Sequence, residues 1–382
     1  MGDGMRYDAS HLEALEGLEA VRRRPGMYVG STTARGLHHM VLGVFEHAVN
    51  ESMAGRVLAV EVTLLEDGGV RIADDGAGVP FGSPGDDGGP DLEERLTCFW
   101  VWRGSIDRNK VWVWSGGIEL AVVNALSTRT SAEVCRDGVR WVQEYARGTA
   151  LAPPAAVGTT ERTGTALTFH PDPTIFETVD CSFGYLAERF RELVFLYPGL
   201  DVTLTDERPA GAPAVQRFRC PGGLRDLVAS LTATRSLSGP VDVIAFGAEA
   251  PSAAGLVDVA LSWSAMEGRQ VLGYANGRAT LHGGTHEEGF LAGLAGAVTA
   301  HARACGALSA MAPAIGPEAV GAGLTAVVSV KLDDPEFQGS TRTRLGGEHV
   351  RDAVEEVVGA AVLAWLEEHP ELAARLLERW TD

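Results

Sequence analysis

What is scarce in this chain narrows its function first. Cysteine occurs five times (Cys98, Cys135, Cys181, Cys220, Cys305), an odd number at wide spacings with no Cys-x-x-Cys pair. That excludes a disulfide framework and a zinc ribbon, and fits buried thiols in a reducing cytosol. No apolar run is long enough to span a bilayer, and Met1 to Arg6 opens no apolar signal core. A cytoplasmic protein with no membrane partner is expected. Positive charge is short as well: 32 Lys+Arg against 51 Asp+Glu leave a formal net charge of -19, with no dense lysine cluster. Such a chain gains little from counterion release on a phosphate backbone, which weighs against DNA as a partner. The hydrophobic content of 45% is ordinary for a soluble protein, and 382 residues suggest two domains.

One further absence is local. The segment Leu37 to Glu51 reads as a helix, with Leu37, Val41, Val44, Phe45 and Ala48 on its apolar side. His39, Gly43, His47 and Glu51 follow one another at spacings of four and share roughly one face. A glycine inside a helix costs about 1 kcal/mol relative to alanine, so Gly43 marks either close packing or an altered site. His39 and His47 lie about 12 Å apart along such a helix, too far to share an ion. No metal and no cofactor are expected.

Val70-Arg71-Ile72-Ala73 reads as a strand running into Asp74-Asp75-Gly76-Ala77-Gly78-Val79-Pro80. There the spaced glycines let backbone approach a ligand, and an aspartate at the strand end can accept from an amine. Further on come Ser115-Gly116-Gly117, Val122 to Ser127, Thr163-Gly164-Thr165, Gly283-Gly284-Thr285-His286 and Leu324 to Lys331. In this order and spacing the chain resembles the amino-terminal ATPase and transducer region of the DNA gyrase B family, within the GHKL ATPase superfamily. The resemblance implies an α+β fold. Residues 1–217 would form a degenerate GHKL (Bergerat-type) α/β sandwich with an N-terminal arm, and 218–382 a ribosomal-S5-like transducer domain with a long final helix. Composition supports a loop at Arg208 to Pro213 between them.

The resemblance also shows what is altered. At the position of Gly43 the family carries the glutamate that activates water, and at His47 the asparagine that holds magnesium. Imidazole is a poor substitute in an oxygen octahedron. The glycine-rich phosphate lid shrinks to Gly116 to Val122 and carries Glu119, which repels phosphate. ATP hydrolysis is therefore expected to be lost. Asp74 and Thr165 match the adenine-binding pair, and Gly76 and Gly78 keep the backbone opening. Two family arginines are replaced by Ala77 and Val142, which leaves Glu51 either without its partner or simply at solvent. Arg342 falls near the family's transducer lysine, as a pocket cation or a surface one. The arm around Tyr7 implies a homodimer. The resemblance implies that a full gyrase B protein continues beyond Asp382 into its metal-binding domain and its contact with the A subunit. Strand passage is not expected if the chain is complete, and a fragment of a gyrase would end near here too.

Four of the eight tryptophans, Trp100, Trp102, Trp112 and Trp114, cluster where the family has a polar lid. Their alternation fits two short strands about an Asp107-Arg108-Asn109 turn, the indoles either packing on the domain or walling a flat ligand. The resulting expectation is a pocket rebuilt for a small, less charged molecule, with Gly43, Gly76, Ala77, Gly78, Val79 and Pro80 among its lining. His39, His47, Glu51 and Asp74 are its candidate acids and bases for isomerisation, cyclisation or elimination. A pseudo-ATPase that dimerises or docks on gyrase subunits is the competing reading, and adenine-nucleotide binding without turnover a third.

Overall fold

The computed structural model describes residues 17–52, 58–84, 90–99, 119–208, 212–233, 242–264, 268–339 and 342–381. The chain divides into two compact units. The first closes at Arg217; the second runs from Phe218 onward and includes Phe190–Leu200.

In the first unit α1 (Leu18–Arg23), α2 (Gly26–Val29) and α3 (Ala34–Ser52) precede β1 (Leu58–Leu64) and β2 (Val70–Asp74). Helices α4 (Leu92–Thr97) and α5 (Leu120–Ala125) come next. They lead to β3 (Ser127–Arg136), β4 (Val139–Ala146), β5 (Thr149–Ala150), β6 (Ala155–Thr159) and β7 (Gly164–Pro171). Helix α6 (Phe183–Leu196), divided between the units after Arg189, then β8 (Leu200–Asp206) and β9 (Ala214–Arg219), divided after Arg217, complete the series. Nine strands form one sheet in the order β5-β4-β3-β7-β2-β1-β8-β9, with β6 also on β4.

Alternation along these strands decides which face is covered. Val60, Val62, Leu64, Val70 and Ile72 are buried, whereas Glu61 is exposed and Arg71 half-buried. With a side-chain period of two, the first set faces the helices and the second the open face. Helix α3 lies on β1, β2 and β7. It buries Leu37, Met40, Val41, Val44, Phe45 and Val49 there, the stripe its periodicity predicts.

The second unit holds α7 (Gly223–Ala233), β10 (Ile244–Ala250), β11 (Gly255–Trp263), β12 (Gln270–Ala275) and β13 (Arg278–Ala279). It continues through α8 (Thr285–Ala304), α9 (Pro317–Gly321), β14 (Leu324–Leu332), β15 (Phe337–Gln338) and β16 (Arg344–Leu345). Helices α10 (Glu348–Glu368) and α11 (Pro370–Thr381) end it. Its five-stranded sheet runs β10-β11-β14-β12-β13. Strand β14 pairs antiparallel with β11 and parallel with β12, and α8 supplies the crossover that a parallel pair requires. The expected α+β class holds. Pro370 has no N–H to continue α10, so that helix stops at Glu368 and α11 starts on the proline, where a missing donor costs nothing. No described helix is long and apolar enough to cross a membrane.

Candidate ligand pocket

Beneath α3 lies a cavity of about 360 Å³, its open mouth included. Val44, Ala48, Ile72, Val79, Leu92, Leu120 and Leu167 give it an apolar lining, and His47, Asp74, Arg95 and Thr165 are its polar side chains. Its character is that of a small-molecule site, mostly apolar with a few converging polar groups.

Two neighbouring strands set the polar end. Asp74 closes β2 and Thr165 is the second residue of β7, its antiparallel partner. Asp74 Oδ1 accepts from the Gly76 N–H at 2.7 Å and from the Thr165 N–H at 3.3 Å. Thr165 Oγ1 accepts from the Val79 N–H at 2.9 Å. The side chains that face the cavity therefore also hold the loop that follows β2. Two glycines make that closeness sterically feasible. At Gly164 (φ +139°) an added Cβ would overlap the Asp74 carbonyl, and at Gly78 (φ +83°) it would meet the Cys135 carbonyl at 2.7 Å. Arg136 Nη1 closes the arrangement by donating to the Gly78 carbonyl at 2.9 Å. Gly76, Gly78 and Val79 are buried in this loop, Pro80 is half-buried, and Ala77 points its methyl to solvent.

Of the helix residues singled out from sequence, His47 lines the cavity and Gly43 is buried one turn earlier. His39 does not reach the lining. Its Nδ1 lies 3.0 Å from the Val29 carbonyl, which turns the ring back toward α2. Neighbouring His38 is structural: Nε2 accepts from the Ser182 N–H at 2.9 Å, and the ring stacks on Tyr185. Burial and the adjacent His39 hold its pKa below the usual histidine value. The Glu51 side chain and Trp100, Trp102, Trp112 and Trp114 lie outside the described residues, as does the arm around Tyr7.

Val142 is placed away from the cavity, a correction with a simple cause. It pairs with Glu133, Glu133 with Ala166 and Ala166 with Ala73, so all four share the sheet's open face. Arg342, in the second unit, precedes β16 in a left-handed turn at φ +51°. Three charged residues were not anticipated. Arg95 lies three positions after Leu92 on α4, so both face the cavity; its Nε donates to the Pro90 carbonyl at 2.8 Å. Arg136 grips the glycine loop as described. Glu46, on α3, is only 6% exposed. The i, i+3 relation to Leu92 is a signal that could have exposed Arg95; the other two had none. Among the described residues no group of three His, Cys, Asp or Glu could hold a metal ion.

A layer of helices on one sheet, with an aspartate–threonine pair at a strand end, followed by a second α+β unit, is the arrangement of the GHKL fold. Known proteins agree with this class. The model of the DNA gyrase B family matches residues 223–382. The novobiocin-resistant DNA gyrase B protein of Streptomyces niveus is 39% identical over 388 residues, 98% of this chain and 57% of that protein. The DNA gyrase B protein of Streptomyces coelicolor is 40% identical over 390 residues, with the same coverage. Among solved structures, the 43K ATPase domain of Thermus thermophilus gyrase B, in complex with an aminocoumarin, superposes with a TM-score of 0.80 at 31% identity. That match covers 97% of this chain and 95% of that one. The gyrase B protein of Myxococcus xanthus gives 0.72 at 28%, covering 95% and 99%. The chain belongs to the DNA gyrase B family. It spans little more than half the length of the curated Streptomyces relatives, 57% of each.

Proposed function

We propose that this chain is a gyrase-B-like protein that does not turn over ATP, and that its cavity holds a small, weakly charged, flat molecule that donates to Asp74. The observation that carries this is the cavity's supply of carboxylates. Asp74 is the only one in its described lining, and its Oδ1 is occupied by the Gly76 and Thr165 amides. Gly43 stands on the helix turn before His47, where the family resemblance puts the water-activating glutamate, and a glycine offers no proton acceptor. Seven apolar lining residues support a ligand with little charge. A relative solved with an aminocoumarin supports an aromatic one. His47 and Asp74 face the same space and would act as base and acceptor in isomerisation, cyclisation or elimination.

Phosphate release and calorimetry test this reading. With ATP and magnesium, release at the buffer rate is expected, and Asp74→Asn should weaken any adenosine or aminocoumarin binding at least tenfold. Robust magnesium-stimulated phosphate release would overturn it. The family match across 223–382 favours one second reading, a regulator that docks on gyrase subunits through its transducer unit. Co-purification with the host gyrase and altered supercoiling would support that reading; neither effect would remove it.

A further inference from the structure

The second unit buries a polar cluster that the proposed function does not use. Gly273 on β12 lies against the first turn of α8, and a Cβ there would overlap Glu287 Oε1, His286 Nε2 and Thr280 Oγ1 at once. Three polar side chains thus converge where this strand has none. Thr280 is fixed over the glycine because its N–H donates to the Gly273 carbonyl at 2.9 Å. Its Oγ1 lies 3.1 Å from His286 Nε2, and Glu287 Oε1 lies 3.9 Å from the same nitrogen. His286 is fully buried, and its Nδ1 has no polar partner among the described residues. A proton on Nδ1 would be an unsatisfied buried donor, so the neutral ring carries it on Nε2 and donates to Thr280. The Thr280 hydroxyl is then left to donate to Glu287.

Of the three, Glu287 is the one able to change charge near neutrality. Burial first, then the field of Arg344, hold His286 at about 4, so it stays neutral. Burial pushes Glu287 up to about 7; Arg269, Arg344 and the Thr280 bond oppose this, and Glu288 adds to it. Arg269 is shared with Glu318 of α9, and the His282 ring is engaged with Thr343. The same loop grips β16. His282 N–H donates to the Thr343 carbonyl at 2.9 Å, and Leu345 N–H to the Gly283 carbonyl at 3.1 Å. Thr285 Oγ1 donates to the Gly346 carbonyl at 2.7 Å, and Arg344 to the His282 carbonyl and the Glu288 carboxylate.

We propose that Glu287, Thr280 and His286 form a proton-operated latch. With Glu287 neutral, the head of α8 and the loop 280–284 stay seated on β12 and hold β16. With Glu287 ionised, this junction opens more readily and lets residues 343–346 go. The sign follows from solvation: the seated carboxyl titrates above its ordinary 4.5, which it regains in the open form. Seating is therefore strongest at low pH and weakens as pH rises through 7. The latch lies wholly within the second unit and does not depend on what the cavity under α3 binds.

Hydrogen exchange on the full chain, corrected for the intrinsic pH dependence of exchange, provides the test. Protection of the amides of His282, Glu287 and Leu345 should fall about tenfold from pH 6 to pH 8.5. Those amides should exchange faster than 326–330 throughout, as local opening requires. Glu287→Gln should abolish the pH dependence, whereas a merely structural role would shift protection equally at every pH. Thr280→Val, which removes a donor to the carboxylate at nearly constant shape, should move the transition to higher pH. A flat profile in the parent chain, a slope that survives Glu287→Gln, or exchange in step with 326–330 would overturn the proposal.

Discussion

Asp172 illustrates at the residue scale how a buried charge is kept. Its side chain is fully buried and accepts from the Thr174 N–H at 2.9 Å and hydroxyl at 2.6 Å. Arg22 Nη2 donates to it at 2.7 Å, while Arg22 Nη1 donates to the Ala125 carbonyl at 2.7 Å. Burial alone would raise the carboxyl's pKa, but the bonds from Thr174 and Arg22 prevail and hold it at about 2. The folded value lies below the unfolded one, so the group stabilises the fold above pH ~4 and that contribution disappears as pH falls toward 2. Asp172→Asn should cost about 2 kcal/mol at neutral pH and progressively less toward pH 2, read from denaturant unfolding across pH. Nothing local marks the ion pairing of Asp172 in the sequence, because Arg22 and Arg147 come from distant segments. Gly43 and Asp74 were legible for the opposite reason: each breaks or ends a periodic run beside it.

Among elements, α8 and α10 meet at small residues. A Cβ at Gly293 would overlap the Glu355 carbonyl and stand 3.1 Å from the Val358 Cβ, whereas at Gly296 it would meet nothing within 4 Å. Gly293→Ala should therefore destabilise by about 1–3 kcal/mol through overpacking. Gly296→Ala should stabilise by about 0.5–1 kcal/mol by raising helix propensity in open space. Thermal unfolding of the two variants separates these signs. The periods behind α3 and β2 were readable in advance, since a 3.6 or 2.0 repeat suffices to define them. Helix α8 begins at Thr285 directly after Gly283 and Gly284, with no side-chain cap to mark its start in the sequence. The face that Val142 occupies was not readable. It depends on a chain of pairings through β3 and β7, and a one-residue difference in register would reverse it.

For the whole molecule, strand order is the part a linear reading reaches least, because it is set by pairings between distant segments. Strand β14 sits at the centre of the second unit's sheet, between β11 and β12. Every residue from Leu324 to Val330 is buried, so helices or strands seal it above, below and on both flanks. Its amides can reach solvent only when the unit opens as a whole. In deuterium labelling, the backbone of 326–330 should thus be the last to exchange in this unit, at a rate that reports global rather than local unfolding. The exposed β6 edge should label first among the strands of the other unit. A strand held this way acts as an internal gauge: any ligand that tightens the second unit would slow its exchange, whichever surface that ligand touches.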